Sequence, residues 1–358
     1  MAERLRTIIH AGMHKTGSTA IQEVFGARGV AGVGHPGGPR TNLSDMVLLL
    51  FAEGALLEKF HTARLPHLSQ RALMRKRARN EAKLASELSA CRAPVFLFSA
   101  EDIAAPDFDT AATRRMADFF RGFDRTIEVQ AYVRAPVSFM QSAFQQRVKQ
   151  GKREAAKLDA STLWPCYRDR FEKFDTVFGR ENVHLHPFDP KHFRDGDVVA
   201  DFADRLGVAL PEAPPTRAND GLSGEAMAIA WCRLAGRLPA DYPDAATASR
   251  FRATPARALS GFGKRKFAFA ETFLAPTIAA QDDDLAWIEE RLGQPLPDRP
   301  PHADAIGTGA DMEAIAEENR AALAAYLATL PPLPSRPRRA MKRITRRLRW
   351  GLGLRSQK

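Results

Sequence analysis

Apolar residues fall along this chain in two rhythms. Short continuous runs of strand length occur at Arg6–Ala11 (RTIIHA), Ala93–Ser99 (APVFLFS), Thr126–Val133 (TIEVQAYV) and Val183–His186. Between them, apolar positions recur at helical spacing over Ser18–Ala27, Leu43–Phe60, Leu68–Cys91, Thr110–Phe120, Val137–Gln150, Leu163–Phe178 and Val198–Leu206. Three of these helical stretches stop at a glycine, at Gly151, Gly179 and Gly207, where a helix end can turn left-handed. Unalternating apolar strands are those buried on both faces, so the pattern predicts an α/β fold with a central, mostly parallel sheet flanked by helices. Gly29–Arg40 holds five glycines and two prolines and reads as a loop.

After Leu210 the strand rhythm ends. Helical spacing continues at Ser223–Leu238, Arg265–Leu274, Asp283–Leu292 and Met312–Leu327. The expected organisation is an α/β core over 1–210, a helical C-terminal part over 211–330 that packs on the core, and a tail over 331–358. Pro211–Pro215 reads as the joint.

Composition changes this picture in one place. The net charge is +11, yet residues 331–358 hold ten Lys or Arg and no Asp or Glu. The preceding 330 residues therefore carry only +1, the total less the ten of the tail. The basic balance belongs to the tail, so no nucleic-acid partner is expected for the core. Within the tail, Met341, Ile344, Leu348 and Leu352 recur at helical spacing among arginines, with Trp350 nearby. That is the pattern of a basic amphipathic helix for peripheral contact with an anionic membrane surface, or of a solvated, poorly ordered end. No apolar run approaches the roughly 18 residues that span a bilayer, and no signal-peptide pattern opens the chain. A cytoplasmic protein, peripheral at most to the inner membrane surface, is expected. Cys91, Cys166 and Cys232 are scattered and show neither metal-ligand nor disulfide spacing.

The first apolar run leads into Gly12-Met13-His14-Lys15-Thr16-Gly17-Ser18-Thr19. A strand, a glycine turn and a helix start converge backbone N–H groups on one point, and the helix dipole adds about half a positive charge there. Gly12 and Gly17 have the spacing of a P-loop, and Thr19 stands at its hydroxyl position. The residue after the second glycine is Ser18, where an ATP-binding loop has lysine. The lysine has moved into the loop, to Lys15. A second anion signal follows the third strand, where Arg134 ends the run and Ser142 lies eight residues on, inside the next helix. An arginine fork and a hydroxyl are both good phosphate partners.

The two segments together resemble the superfamily of sulfotransferases that use 3′-phosphoadenosine 5′-phosphosulfate (PAPS). KTGST is similar to that family's 5′-phosphosulfate loop, and R-A-P-V-S-F-M-Q-S-A-F to its 3′-phosphate motif. The wider stretch YVRAPVSFMQSAFQQRVKQG, with VFLFSAED, FGRENVHLHPFDP and NDGLS, looks like a bacterial branch. The resemblance runs from about Thr7 to Leu222 and implies a P-loop-like three-layer fold. It implies that Lys15 contacts the 5′-phosphate and the bridging oxygen of the leaving group. Thr16, Gly17, Ser18 and Thr19 would hold the 5′-phosphate, and Arg134 and Ser142 the 3′-phosphate. Ala135 and Ser138 depart from the family's usual Asn or Asp and Asp. Gly263–Lys266 is a candidate for its later basic loop.

Sulfonate transfer needs a cation where charge builds on the leaving oxygen, and a base for the acceptor hydroxyl or amine. Lys15 suits the first role, and no metal is required. Glu101, just past the second strand, is the candidate base. Asp102 and His14 are its rivals, while His10, His184 and His186 read as core or surface groups. Phe188, after the fourth strand, is a candidate adenine contact as well as a core residue. The acceptor, a carbohydrate or a lipid among the options, carries no readable code. Two other readings stay open, an ATP-dependent phosphotransferase and a non-catalytic nucleotide-binding protein.

Overall fold

The computed structural model describes residues 5–13, 15–37, 41–211, 221–298 and 305–331. The joint expected at 211–215 and the basic tail therefore lie, almost entirely, outside the described residues. In chain order the elements are β1 (Arg6–His10), α1 (Ser18–Gln22), β2 (Val33–Gly34), α2 (Ser44–Phe51), α3 (Gly54–Arg64), α4 (Gln70–Ala90), β3 (Val95–Ser99), α5 (Thr110–Arg121), β4 (Thr126–Val133), α6 (Pro136–Gln150), α7 (Tyr167–Phe178), β5 (Val183–Pro187) and α8 (Val198–Leu206). They continue with α9 (Gly224–Leu234), α10 (Ala248–Ala253), α11 (Glu271–Ala279), α12 (Asp282–Leu292), α13 (Gly309–Glu318) and α14 (Arg320–Thr329). A π-helical stretch, Glu23–Arg28, continues α1.

The chain divides into two compact units. The first draws on residues 5–135, 166–211 and 283–297. It contains the expected parallel sheet, with strand order β2-β3-β1-β4-β5. All four neighbouring pairs are parallel. The four apolar runs became the four longer strands. The fifth, β2, is two residues long and sits inside the glycine-rich segment expected to be loop.

Alternate side chains of the strands feed two cores, as the pleat requires. Ile8, Val95, Leu97 and Tyr132 pack with Ile21 of α1, Phe25 of the π-helical stretch after it, and Val199, Phe202 and Leu206 of α8. On the other face Phe98 meets Phe120 of α5 edge-on, with ring centroids 5.1 Å apart. Burial of one such aromatic side chain stabilises by roughly 1.5–3 kcal/mol. A smaller cluster of Leu49, Phe60 and Leu73 joins α2, α3 and α4.

Acidic residues distant in sequence finish helix ends that lack a local cap. Cys166, preceding α7, is left-handed and offers no side-chain cap. Asp284 of α12 supplies it, accepting from Tyr167 N (2.8 Å) and Arg168 N (2.7 Å). Arg291 adds a bidentate pair to Asp175, at 2.7 and 2.9 Å. These bonds tie residues 283–297 to the sheet unit.

The second unit draws on residues 136–165, 221–282, 298 and 305–331. Its core includes Phe144 stacked on Phe267, with centroids 5.8 Å apart. Trp231 Nε1 donates to the Ala155 carbonyl at 3.0 Å. Here Asp298 accepts from Val137 N at 2.9 Å and Ser138 N at 3.4 Å. It brings a carboxylate to the start of α6, where Ala135 and Ser138 offer none. The helix expected over Arg265–Leu274 begins only at Glu271. Residues 266 and 269 instead form bridges with Ser223 and Ile306. The helical spacing over 43–60 is broken at Ala52-Glu53, and that over 312–327 at Asn319.

Candidate active site

The site begins with strand register. His10, the last residue of β1, pairs with Ser99 of β3 on one side and with Gln130 of β4 on the other. The chain continuing past β1 therefore emerges beside Ala100–Asp102, and beside the last turn of β4 that leads to Arg134. C-terminal strand ends are where open α/β sheets present their sites.

The loop is built by two left-handed residues, Lys15 (φ 71°) and Gly17 (φ 77°). Thr16 between them is buried and ties the turn with a 2.6 Å bond from its hydroxyl to the Met13 carbonyl. Ala20 N and Ile21 N then close on the Gly17 carbonyl at 2.9 and 3.2 Å, which starts the helix. A lysine in the left-handed region costs energy of order 1 kcal/mol, an outlier of the kind that accompanies functional loops. Glycine is required at both ends of the turn by different neighbours. A Cβ on Gly12 would lie 2.2 Å from Ser18 Oγ, and one on Gly17 would lie 2.5 Å from Val198 Cγ1. Ser18 is 2% exposed and its hydroxyl has no partner among the described residues. A buried, unpartnered hydroxyl costs free energy unless a ligand meets it.

Gly17→Ala is expected to destabilise the protein by about 1–3 kcal/mol, because strain at positive φ adds to overlap with a stiff β-branched side chain. Urea unfolding checks this. A change below a few tenths of a kcal/mol would show that the loop relaxes freely.

Three charged groups meet at the loop. The Lys15 side chain reaches solvent on one side. Crowding by protein lowers its pKa, the Glu101 carboxylate raises it, and the Arg134 guanidinium lowers it again, with a net fall. Glu101 opens a 3₁₀ turn, Glu101–Ala104, directly after β3. Burial raises its pKa, Asp102 raises it further, and Lys15 opposes both, with a net rise. Asp102 is half-buried, and its N–H donates to Ser44 Oγ of α2 at 3.1 Å. Arg134 donates from Nη1 to the Lys15 carbonyl at 2.8 Å, so the end of β4 braces the loop directly. Its guanidinium also lies 5.8 Å from the centre of the Phe188 ring.

In comparisons with known proteins, no family model matches the chain, and no curated protein matches it. Among solved structures the chain is similar to a sulfotransferase from Alicyclobacillus acidocaldarius, at 16% identity and a TM-score of 0.39, over 83% of this chain and 98% of that one. It is also similar to the sulfotransferase domain from the curacin biosynthetic pathway, at 13% identity and a TM-score of 0.33, over 58% of this chain and 75% of that one.

Of the residues singled out from the sequence, Lys15, Thr16, Gly17, Ser18, Thr19, Glu101, Asp102 and Arg134 lie in the first unit at the ends of β1, β3 and β4. Ser142 is half-buried on α6, in the second unit. His14 lies outside the described residues. His10 is fully buried, its Nδ1 bonded to Ser99 Oγ at 2.8 Å, and burial pushes its pKa down to about 4. A neutral His10 thus supports the floor of the loop. His186 accepts from Arg205 at Nδ1 (3.0 Å), which places its proton on Nε2, facing Gln130 Oε1 at 2.9 Å. Burial and then Arg205 hold its pKa near 3. Phe188 packs edge-on against Tyr132 and Phe193. In the second unit, the amides of Lys264 and Arg265 already donate to the Glu225 carboxylate, at 3.1–3.3 Å.

One support of the site was not legible in the sequence. Arg170 and Lys173 lie on α7, within the stretch of helical spacing over Leu163–Phe178. In the structure Arg170 Nη1 donates to the Ala104 carbonyl (3.0 Å), and Lys173 Nζ to those of Ala105 (2.7 Å) and Phe108 (2.5 Å). Lys173 is 4% exposed. Its burial, and then Arg170, bring its pKa down to about 7. Two basic side chains thus clamp the carbonyl end of the turn whose first residue is Glu101.

Proposed function

We propose that the first unit binds PAPS and that the protein transfers its sulfonate to an acceptor hydroxyl or amine. The observation that carries this reading is the meeting of Lys15 and Glu101 beside an anion-binding turn with a buried, unpartnered hydroxyl. A lysine that can meet charge on a leaving oxygen and a carboxylate of raised basicity are the two groups the reaction needs. The loop amides and Ser18 suit the 5′-phosphosulfate. The arginine braced against the loop suits a further phosphate, the feature that separates PAPS from ATP.

In the proposed step the acceptor oxygen or nitrogen bonds to sulfur as the bond from sulfur to the bridging phosphate oxygen breaks. The acceptor proton passes to Glu101, and adenosine 3′,5′-bisphosphate leaves with its new charge facing Lys15. The moved position of Lys15 favours this reading over ATP-dependent phosphoryl transfer, where a lysine would follow Gly17.

Thermal denaturation with each nucleotide tests the donor. Ligand at about 100 times its Kd stabilises by about 2.7 kcal/mol, which corresponds to a rise in Tm of roughly 3–5 °C for a chain of this size. Adenosine 3′,5′-bisphosphate is expected to give that rise and ATP with Mg²⁺ little or none. The reverse ranking would overturn the proposal in favour of a phosphotransferase. A nucleotide shift without transfer from labelled PAPS to any acceptor pool would favour a binding protein.

A further inference from the structure

Helix α4 is the longest of the described helices, and its apolar face is narrow. Leu73, Leu84 and Leu88 are buried, while the remaining perimeter faces outward or is half-covered. That outer face is basic. The helix carries Arg71, Arg75, Lys76, Arg77, Arg79 and Lys83 against Glu81 and Glu87. Arg77 pairs with Glu53, and Lys83 with Glu87. Arg71, Arg75, Lys76 and Arg79 are exposed.

Arg6, Arg28, Lys59, Arg64, Arg115 and Arg121 each sit within 4.0 Å of a carboxylate. Arg71, Arg75 and Arg79 form no such pair among the described residues. They are spaced four residues apart, which lines them up along one helix face. Met74 stands beside them at 41% exposure, the one exposed large apolar side chain among the described residues. Ala78 and Ala82 complete the face and allow close approach.

We propose that this face of α4 docks the protein on an anionic phospholipid surface. Unpaired cations in a row are drawn to a negative leaflet, and an apolar side chain set among them enters the headgroup boundary. A nucleic acid or acidic glycan would take the arginines but gain nothing from Met74. A single weak contact binds a membrane only reversibly, and stable attachment takes two signals. The sequence holds a second one in residues 331–358, with ten Lys or Arg and no acid. The docking rests on charge and exposure alone and does not depend on the donor nucleotide.

The test is co-sedimentation of the full chain with vesicles of phosphatidylcholine, with and without phosphatidylserine. Binding is expected only when phosphatidylserine is present, and to fall steeply with salt. Arg71→Glu/Arg75→Glu/Arg79→Glu should weaken partitioning by about 10³-fold or more. The milder Arg71→Gln/Arg75→Gln/Arg79→Gln guards against misfolding and, at about 1 kcal/mol per lost charge, should weaken it on the order of 100-fold. Met74→Asp should lower it severalfold. Wild-type binding by both arginine variants would overturn the proposal and leave 331–358 as the anchor. So would failure of the wild type to bind anionic vesicles. Tighter, Arg71-dependent binding to heparin than to vesicles would overturn it in favour of a polyanion.

Discussion

Lys15→Ala is expected to lower the rate of sulfonate transfer by about 10²–10³-fold, the usual consequence of removing one preorganised group that faces developing charge. The effect should fall on kcat more than on KM, because the bridging oxygen becomes negative only as its bond to sulfur breaks. The fold should survive. Lys15 is exposed, and its backbone contributions, including the carbonyl that receives Arg134, are retained by alanine. Labelled-sulfonate transfer with matched thermal melts checks both halves. An unchanged kcat would remove Lys15 from the chemistry. A loss of transfer that merely tracks a loss of folded protein would make it structural. Lys15→Arg should recover part of the rate, since charge is kept and position is not.

Glu101→Gln is expected to cost about 10²–10⁴-fold in kcat, the range for a lost general base. Its pH dependence is the sharper measurement. Burial, and then Asp102, hold the Glu101 carboxyl above the ordinary glutamate range. The base must be ionised to accept a proton, so wild-type activity should rise with pH through this raised value. The rise should vanish in Glu101→Gln. Stability should move in the opposite sense. A carboxyl whose pKa is higher in the folded than in the unfolded state stabilises the fold only while protonated. That contribution is lost as pH climbs through the folded-state value. Once ionised, Glu101 is therefore a cost, and above that value Glu101→Gln should melt slightly higher than the wild type. Retention of the acidic limb in the variant would assign it to another group, Asp102 first. A variant both inactive and less stable would point to a structural role.

Legibility in the sequence followed local contrast. β1, β3, β4 and β5 stood out because strands buried on both faces need unbroken apolar runs. β2 was hidden, since two residues in a glycine-rich segment carry no periodicity, and only pairing with β3 makes them a strand. Residues 265–270 had helical spacing, yet they were drawn into bridges with Ser223 and Ile306, partners 40 or so residues away. Capping by Asp284 and Asp298 was equally unreadable. Each acts on a helix start more than 100 residues earlier in the chain.

Most of the glycine turn after β1 was written in the sequence alone. The sequence holds the short apolar strand and the Gly12–Ser18 contact within a few residues of one another, whereas the Val198 side chain that closes on Gly17 comes from far along the chain. The sequence also marked Lys15, Glu101 and Arg134 by their places at strand ends. That these three charges act on one another follows from the folded sheet. Strand order sets β3 and β4 on either side of β1, and register brings Ser99 and Gln130 level with His10. The tertiary structure decided too that Arg134 braces the Lys15 carbonyl and that Arg170 and Lys173 grip the turn behind Glu101. Electrostatic coupling depends on separation in space and on burial, and neither is a function of separation along the chain.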